Sequence, residues 1–353
     1  MLVIHTRNVH SALPEGLFQL GHHGIARESR NGPVVVFPEP VTTVYERPTE
    51  RVMFWPSRDA NPFFHLFEAL WMIAGRDDVA FPASFVKNMR TFSDDGKRLH
   101  GAYGKRWRDW FHPADGVDGG ADQLAVVAAI LKGNPQDRRC VVQMWDATAD
   151  LGRQGKDFPC NTQVIFSRNA EGELDMSVFN RSNDMIWGAY GANAVHFSFL
   201  QEFMAAWIGC PVGRYWQVSN NLHAYSNEVL DKVRHLSTVG DDSTDPYRSG
   251  QVSPYPLVST DIVTWQQDLG ILLEQGPITG FRDPFFRRVA TPMWYAHAVS
   301  KDKTLDPEDR YLKALEIIEQ CRATDWRLAC QQWLQRRLDN VRAVQEGHLN
   351  AAE

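Results

Sequence analysis

Apolar and polar positions along this 353-residue chain follow two periods. Residues 62–75, PFFHLFEALWMIAG, place apolar side chains at helical spacing and stop at Gly75. The segment is apolar nearly all round, which predicts a buried helix and a buried Glu68. A carboxylate there is costly unless it has a partner or a task. Residues 122–132, DQLAVVAAILK, predict a second helix, followed by the turn GNPQDRR and a strand over 140–146, CVVQMWD. Residues 194–208, AVHFSFLQEFMAAWI, predict a long helix ended by Gly209 and Pro211. Residues 160–168 and 173–180 alternate with period two around NAEGE, a hairpin pattern. Over 33–55, β-branched and aromatic residues broken by prolines read as strands and turns. Residues 112–121 and 239–254 read as surface loops. From Pro307 onward the pattern is that of two charged amphipathic helices. Strands and helices mix without a βαβ rhythm, and no linker stands out. The expectation is an α+β fold in one domain, 1–353, with 307–353 as a helical extension.

Charge and composition narrow the function classes. A net charge of −6 gives no general attraction to nucleic acid, although a local basic patch for a small anion stays open. No long apolar run predicts a membrane span, and the N-terminal stretch lacks a signal-peptide core. The five cysteines, Cys140, Cys160, Cys210, Cys321 and Cys330, are odd in number and form no CxxC pair. Neither a disulfide framework nor a metal site is expected, and the thiols read as free in a reducing cytoplasm.

Four features carry candidate chemistry, each with a plainer alternative. In DFPCNTQVIF, Cys160 is either a small buried hydrophobe or a nucleophile whose thiolate needs nearby cations. Arg30, the pair Arg138-Arg139 and Arg181-Ser182 are either solvated charges or a phosphate site, since arginine offers bidentate contacts. In WGAYGANAVHF, Asn193 is either a helix N-cap or a carboxamide aimed at a base edge. In NNLHAYSN, His223 and Tyr225 share one side of a strand, as half-buried aromatics or as hydrogen-bonding tips for a sugar hydroxyl.

Taken together, and over about 25 to 230, the motifs resemble the thymidylate synthase family, which includes the deoxypyrimidine hydroxymethylases. The matching blocks stand in family order. They are Pro159-Cys160-Asn161, Asn180-Arg181-Ser182-Asn183-Asp184, Gly188 with Asn193, His223-Ala224-Tyr225, Arg138-Arg139, the Glu68 helix, and Tyr103-Gly104-Lys105-Arg106-Trp107. The resemblance implies a thymidylate synthase-like fold whose sheet face forms a homodimer interface. It implies a pyrimidine nucleoside monophosphate as substrate, with its phosphate held by Arg181, Ser182 and Arg30, and by Arg138 and Arg139 from the second subunit. His223 and Tyr225 then hold the 3′-hydroxyl, and Asn193, with Gly188, Asn180 and Asn161, serves the base. Cys160 adds to C6. C5 attacks 5,10-methylenetetrahydrofolate, the co-substrate, and loss of folate leaves a C5 methylene. Asp184 contacts the folate, while Glu68, also at the folate, and Tyr103 organise proton transfers.

Departures from the family pattern bear on the product. The stretch after the glutamate helix has Phe92 and no tryptophan, and the C-terminus reads HLNAAE where the family has an apolar end. Both loosen the shield that keeps water from the methylene, so water capture to a 5-hydroxymethyl product is preferred to methylation. Asn193 favours dUMP over dCMP, while Asn161 in the usual histidine position and one extra residue in Ala189–Ala192 keep the base open. Thymidylate synthesis, CMP or UMP hydroxymethylation, a non-catalytic nucleotide-binding relative and a Cys160–His223 hydrolase are the alternatives. The expected setting is a bacterial or phage-infected cytoplasm, with DNA modification or nucleoside antibiotic synthesis as the use.

Overall fold

The computed structural model describes residues 1–111, 120–239 and 245–347. Most of the loop expected at 112–121, residues 240–244 of that expected at 239–254, and the terminal HLNAAE lie outside the described residues.

Among the described residues there are ten strands. They are β1 (Leu2–Thr6), β2 (Ile25–Ser29), β3 (Gly32–Val36), β4 (Val41–Tyr45), β5 (Val141–Gln143), β6 (Asn161–Arg168), β7 (Leu174–Asn180), β8 (Asn183–Asp184), β9 (Val212–Ser219) and β10 (Leu222–Tyr225). A six-stranded mixed sheet has the order β1-β4-β9-β7-β6-β5, and a four-stranded one the order β2-β3-β10-β8. The predicted hairpin is β6–β7, its turn closed by Gly172 at φ 79°. The predicted strand at 140–146 shrinks to the three residues of β5, and 33–55 yields only β3 and β4. All five residues of β4 are buried, so it lacks the alternation of a half-exposed strand.

The three predicted core helices form at Pro62–Ile73, Gln123–Gly133 and Asn193–Ile208. Asp122 caps the second by accepting from the Ala125 N–H. The third ends at Gly209, left-handed at φ 84°. Its buried Gln201 donates from Nε2 to the carbonyls of Leu174 (2.8 Å) and Arg214 (2.9 Å), tying the helix to the start of β7 and to β9. Immediately before it, Met185–Ala192 winds in wide i→i+5 turns broken at Tyr190 and Gly191. It contains Ala189–Ala192, where the resemblance implies one extra residue, and wide turns of this kind can absorb an added residue. Tyr45 donates to the Ala189 carbonyl (2.6 Å) and Tyr190 meets Thr43 (3.0 Å), pinning the irregular turns. A Cβ on Gly16 would lie 2.1 Å from the Tyr190 ring, so only glycine lets helix Val9–His23 approach there.

The single-domain expectation with an extension from 307 meets a different grouping. The chain forms two compact units, Met1–Arg51 with Phe64–Ser243, and Val52–Phe63 with Thr244–Glu353. Both sheets belong to the first. The second is helical, with Ile262–Gln275, Thr291–Ser300, Pro307–Ile318 and Thr324–Gln345 around Trp265, Phe286 and Trp333. In it Arg336 and Arg337 bracket Asp59, at 2.9 and 2.7 Å. The two amphipathic helices after Pro307 therefore belong to a larger body that starts upstream. Among the described residues no helix is long and apolar enough to cross a membrane, and no cluster of His, Cys, Asp or Glu has the make-up of a metal site.

Candidate active site

The β6–β7 hairpin explains why two motifs twenty residues apart share a site. Asn161 lies opposite Asn180, so Cys160 and Arg181 emerge side by side. The Arg181 N–H donates to the Cys160 carbonyl (2.9 Å), Nε donates to the Pro159 carbonyl (2.9 Å), and the guanidinium comes within 3.9 Å of Cys160 Sγ. It also lies over the Trp145 ring at 5.5 Å. From the other side, the Tyr103 hydroxyl accepts from the backbone N–H groups of Cys160 (3.1 Å) and Asn161 (3.3 Å). The start of β6 is thus clamped between a guanidinium and a buried phenol.

These groups face a cavity of about 930 Å³, ample for a nucleotide. Cys160, Tyr103, Arg30, Arg181, Ser182, Asp184, Gly188, Asn193, His223 and Tyr225 all line it. The short strand β8 runs parallel to β10 and sets Asp184 beside His223. The His223 ring is held by Asn221 (2.8 Å) and stands perpendicular to Tyr225, ring centres 5.2 Å apart. The Tyr225 hydroxyl accepts from Asn31 (3.3 Å), which the β2–β3 turn supplies together with Arg30. Burial lowers the His223 pKa, against Asp184, which raises it.

Asn193 is not the N-cap of the helix it opens. Its backbone is already helical, and Nδ2 donates to Asn183 Oδ1 at 3.0 Å. Asn183 in turn donates to Gln217 Oε1 and Ser219 Oγ, each 3.2 Å away, and Gln217 donates to the Tyr215 hydroxyl (2.8 Å). This relay of amides orients Asn193 and leaves its Oδ1 as the remaining acceptor. A Cβ on Gly188 would come within 2.6 Å of Asn183 Oδ1 and 2.9 Å of Asn193 Nδ2, so glycine is required beside the pair. Asp184 caps the wide turns, accepting from Ile186 (2.8 Å) and Trp187 (2.6 Å).

The arginines beside Cys160 do favour its thiolate, yet the thiol pKa is raised overall. Burial outweighs Arg181 and Arg30, which lower it, and Asp157 and Asp184 add to the rise. Four other predicted residues stand away from the cavity wall. Asn161 is fully buried, with neither side-chain oxygen nor nitrogen hydrogen-bonded, and Asn180 bonds to the Val218 carbonyl at 3.2 Å. Arg138 and Arg139 are exposed ahead of edge strand β5, and Arg139 pairs with Asp137 at 2.6 Å.

Glu68 lines a smaller neighbouring cavity of about 160 Å³ with His196, Asp157, Tyr103 and Asn193. Burial pushes its pKa up to about 8. Sequence reasoning did not single out His196, Asn183 or Trp145. His196 follows Asn193 by one helical turn, a spacing that puts both on one face. Asn183 sat unremarked inside the NRSND block.

Residues 49–240 match the family described as thymidylate synthase. The chain belongs to the thymidylate synthase family. Within it, the chain is 56% identical over 343 residues to the deoxyuridylate hydroxymethyltransferase of Pseudomonas phage M6, covering 96% of this chain and 95% of that protein. The deoxyuridylate hydroxymethyltransferase of Bacillus phage SP01 is 40% identical over 55% of this chain and 51% of its own. The thymidylate synthase of Streptococcus mutans is 36% identical over 37% of this chain and 50% of its own. The mixed sheets and helices described above are this chain's version of the thymidylate synthase fold.

Proposed function

We propose that this chain is a deoxyuridylate hydroxymethyltransferase, transferring one carbon from 5,10-methylenetetrahydrofolate to C5 of dUMP and closing the reaction with water. The observation that carries the reading is Cys160 Sγ set 3.9 Å from the Arg181 guanidinium, facing the large cavity. The likeness to the phage M6 protein over nearly the whole chain supports the hydroxymethyl outcome.

Arg181, Ser182 and Arg30 take the nucleotide phosphate, as guanidinium forks and a hydroxyl suit. His223 and Tyr225 hold the sugar hydroxyl. The remaining acceptor of Asn193 takes the N3–H of uracil, which cytosine lacks, and this favours dUMP. Cys160 adds through sulfur to C6, and the electron pair it displaces makes C5 nucleophilic. C5 attacks the one-carbon unit of the folate, the C5 proton is lost, and elimination of folate leaves an exocyclic methylene. Tyr103 holds the Cys160 backbone in place, and Glu68 serves proton transfer from the side cavity. Asp184 faces the folate. Asn161 and Asn180 support the base-binding strands from behind the wall.

A homodimer with shared sites belongs to the same reading. On β6, β7 and β9 the residues Ile165, Phe179, Trp216 and Val218 alternate with the buried ones and stay only half-covered, a face suited to a second copy. Arg138 and Arg139, absent from their own cavity wall, then complete the partner's phosphate site.

One incubation tests all of this. The enzyme, its sedimentation coefficient measured in the same buffer, receives methylenetetrahydrofolate with dUMP, dCMP, UMP or CMP, and products are read by mass. The expected product is 5-hydroxymethyl-dUMP from a sedimenting dimer. A methyl product with dihydrofolate, or an active monomer, would overturn the corresponding part.

A further inference from the structure

In the side cavity Glu68 faces a group that the family motifs do not explain, His196. His196 is 4% exposed, and its Nε2 has no hydrogen-bond partner although Glu68 Oε2 lies 3.2 Å away. The ring also hydrogen-bonds the His65 backbone. With Nε2 unpartnered, that bond falls to Nδ1 as the donor, and Nε2 is left as a bare lone pair. Burial pushes the His196 pKa down to about 3 and that of Glu68 up to about 8. Near neutral pH the contact is therefore an imidazole beside a mostly protonated carboxyl, and not an ion pair. Leaving a buried acceptor unused costs about 1–3 kcal/mol, so a retained one calls for a ligand. The cavity exceeds the ~10–15 Å³ that a water requires, and Glu68, Tyr103, Asp157, Asn193 and His196 bring polar groups to its wall among apolar ones. It adjoins the Cys160 cavity, since Tyr103, Ala192 and Asn193 line both.

We propose that His196 is a positioning residue for the water that captures the C5 methylene, holding that water against Glu68 in the side cavity. The proposal rests on the hydroxymethyl reaction above. In the fraction of enzyme whose Glu68 is ionised, which grows as pH approaches about 8, one hydrogen of the water is bonded to His196 Nε2 and the other is passed to the Glu68 carboxylate. An oxygen lone pair forms the bond to the methylene carbon. The methylene π pair moves onto the C4 carbonyl as an enolate. Its return makes the C5–C6 double bond and breaks the bond from C6 to Cys160 Sγ. The proton taken by Glu68 balances the thiolate released, so no oxidant or reductant enters. His196 sets where the water stands and does not touch the pyrimidine.

The test compares wild type with His196→Met, which keeps bulk and removes the acceptor, and His196→Gln, which keeps an acceptor. Each is incubated with dUMP labelled with tritium at C5, methylenetetrahydrofolate and a fixed concentration of 2-mercaptoethanol. Tritium release reports steps up to the methylene. The ratio of 5-hydroxymethyl product to 5-thioether reports water against thiol capture, and it is independent of the fraction of enzyme folded. In His196→Met the ratio is expected to fall by about 10-fold, the worth of one well-made hydrogen bond, with tritium release per active site little changed. His196→Gln recovers most of the ratio. A ratio within twofold of wild type in His196→Met, or an equal fall in both variants, overturns the proposal. If His196→Met does not fold, the Gln variant decides it: a ratio near wild type supports the acceptor role and a tenfold fall overturns it. Wild type that yields only methyl product and dihydrofolate defeats the parent reading instead.

Discussion

The two neighbouring cavities of the sheet-bearing unit handle polar groups in opposite ways. In the larger one, the groups are fixed by backbone and amide partners, as Arg181 is by the Pro159 carbonyl and Asn193 by Asn183. In the smaller one, Glu68 and His196 are so buried that both are driven toward their neutral forms. The first arrangement presents charge and hydrogen bonds to an anionic, planar ligand. The second stores a weak acid and a weak acceptor, which suits handling of a proton and a water molecule. Tyr103 lines both, and its hydroxyl steadies the nucleophile strand.

The largest blow to the first cavity is Cys160→Ala. It is expected to lower turnover by at least about 10³-fold while dUMP still binds, as judged by calorimetry. Turnover near wild type would show that the sulfur is not the nucleophile. Asn193→Asp is next. It removes the amide that donates to Asn183 and, when protonated, offers a donor where cytosine has an acceptor. The dUMP rate constant kcat/KM should drop about 10²-fold, with dCMP gaining relative to dUMP in parallel assays.

The smallest effect separates the two cavities by pH. The folded Glu68 pKa of about 8 lies above its usual 4.5, so the folded state binds the extra proton between those values. Stability from this group is full below about 4.5 and is lost as pH rises through about 8. For His196 the folded value of about 3 lies below 6.5, so its contribution is full above 6.5 and is lost as pH falls toward 3. Glu68→Gln should therefore raise Tm by a few degrees at about pH 9 and change it little at about pH 5. Equal shifts at both pH values would mean that Glu68 is not buried in the neutral form.

Much of the fold was readable where burial imposes a plain period. The helices at Pro62–Ile73 and Asn193–Ile208 and the β6–β7 hairpin came from spacing alone. Strand β4 fell within the 33–55 reading without a period of its own, because both faces are covered, and β8 escaped because two residues carry no period. No local pattern marks the grouping of 307–347 with Val52–Phe63, because most of the sheet-bearing unit lies between that segment and the helices it joins. In the site, ten predicted residues line the large cavity and Glu68 the small one. His196 escaped notice because a histidine in an apolar helix looks like core until its neighbours are known.

The residues themselves determined the chemistry on offer: one cysteine behind a proline, arginines for an anion, an asparagine entering a helix, a carboxylate in an apolar helix. Those follow from side-chain structure and local spacing, which a sequence carries in full. Tertiary structure alone decided how each group is tuned. Burial raises Cys160 against its arginines, a chain of amides from Tyr215 to Asn193 selects which end of a carboxamide is left to a base, and the meeting of two helices puts His196 at 3.2 Å from Glu68. Desolvation and hydrogen-bond direction depend on neighbours far away in the chain, and no local pattern encodes them.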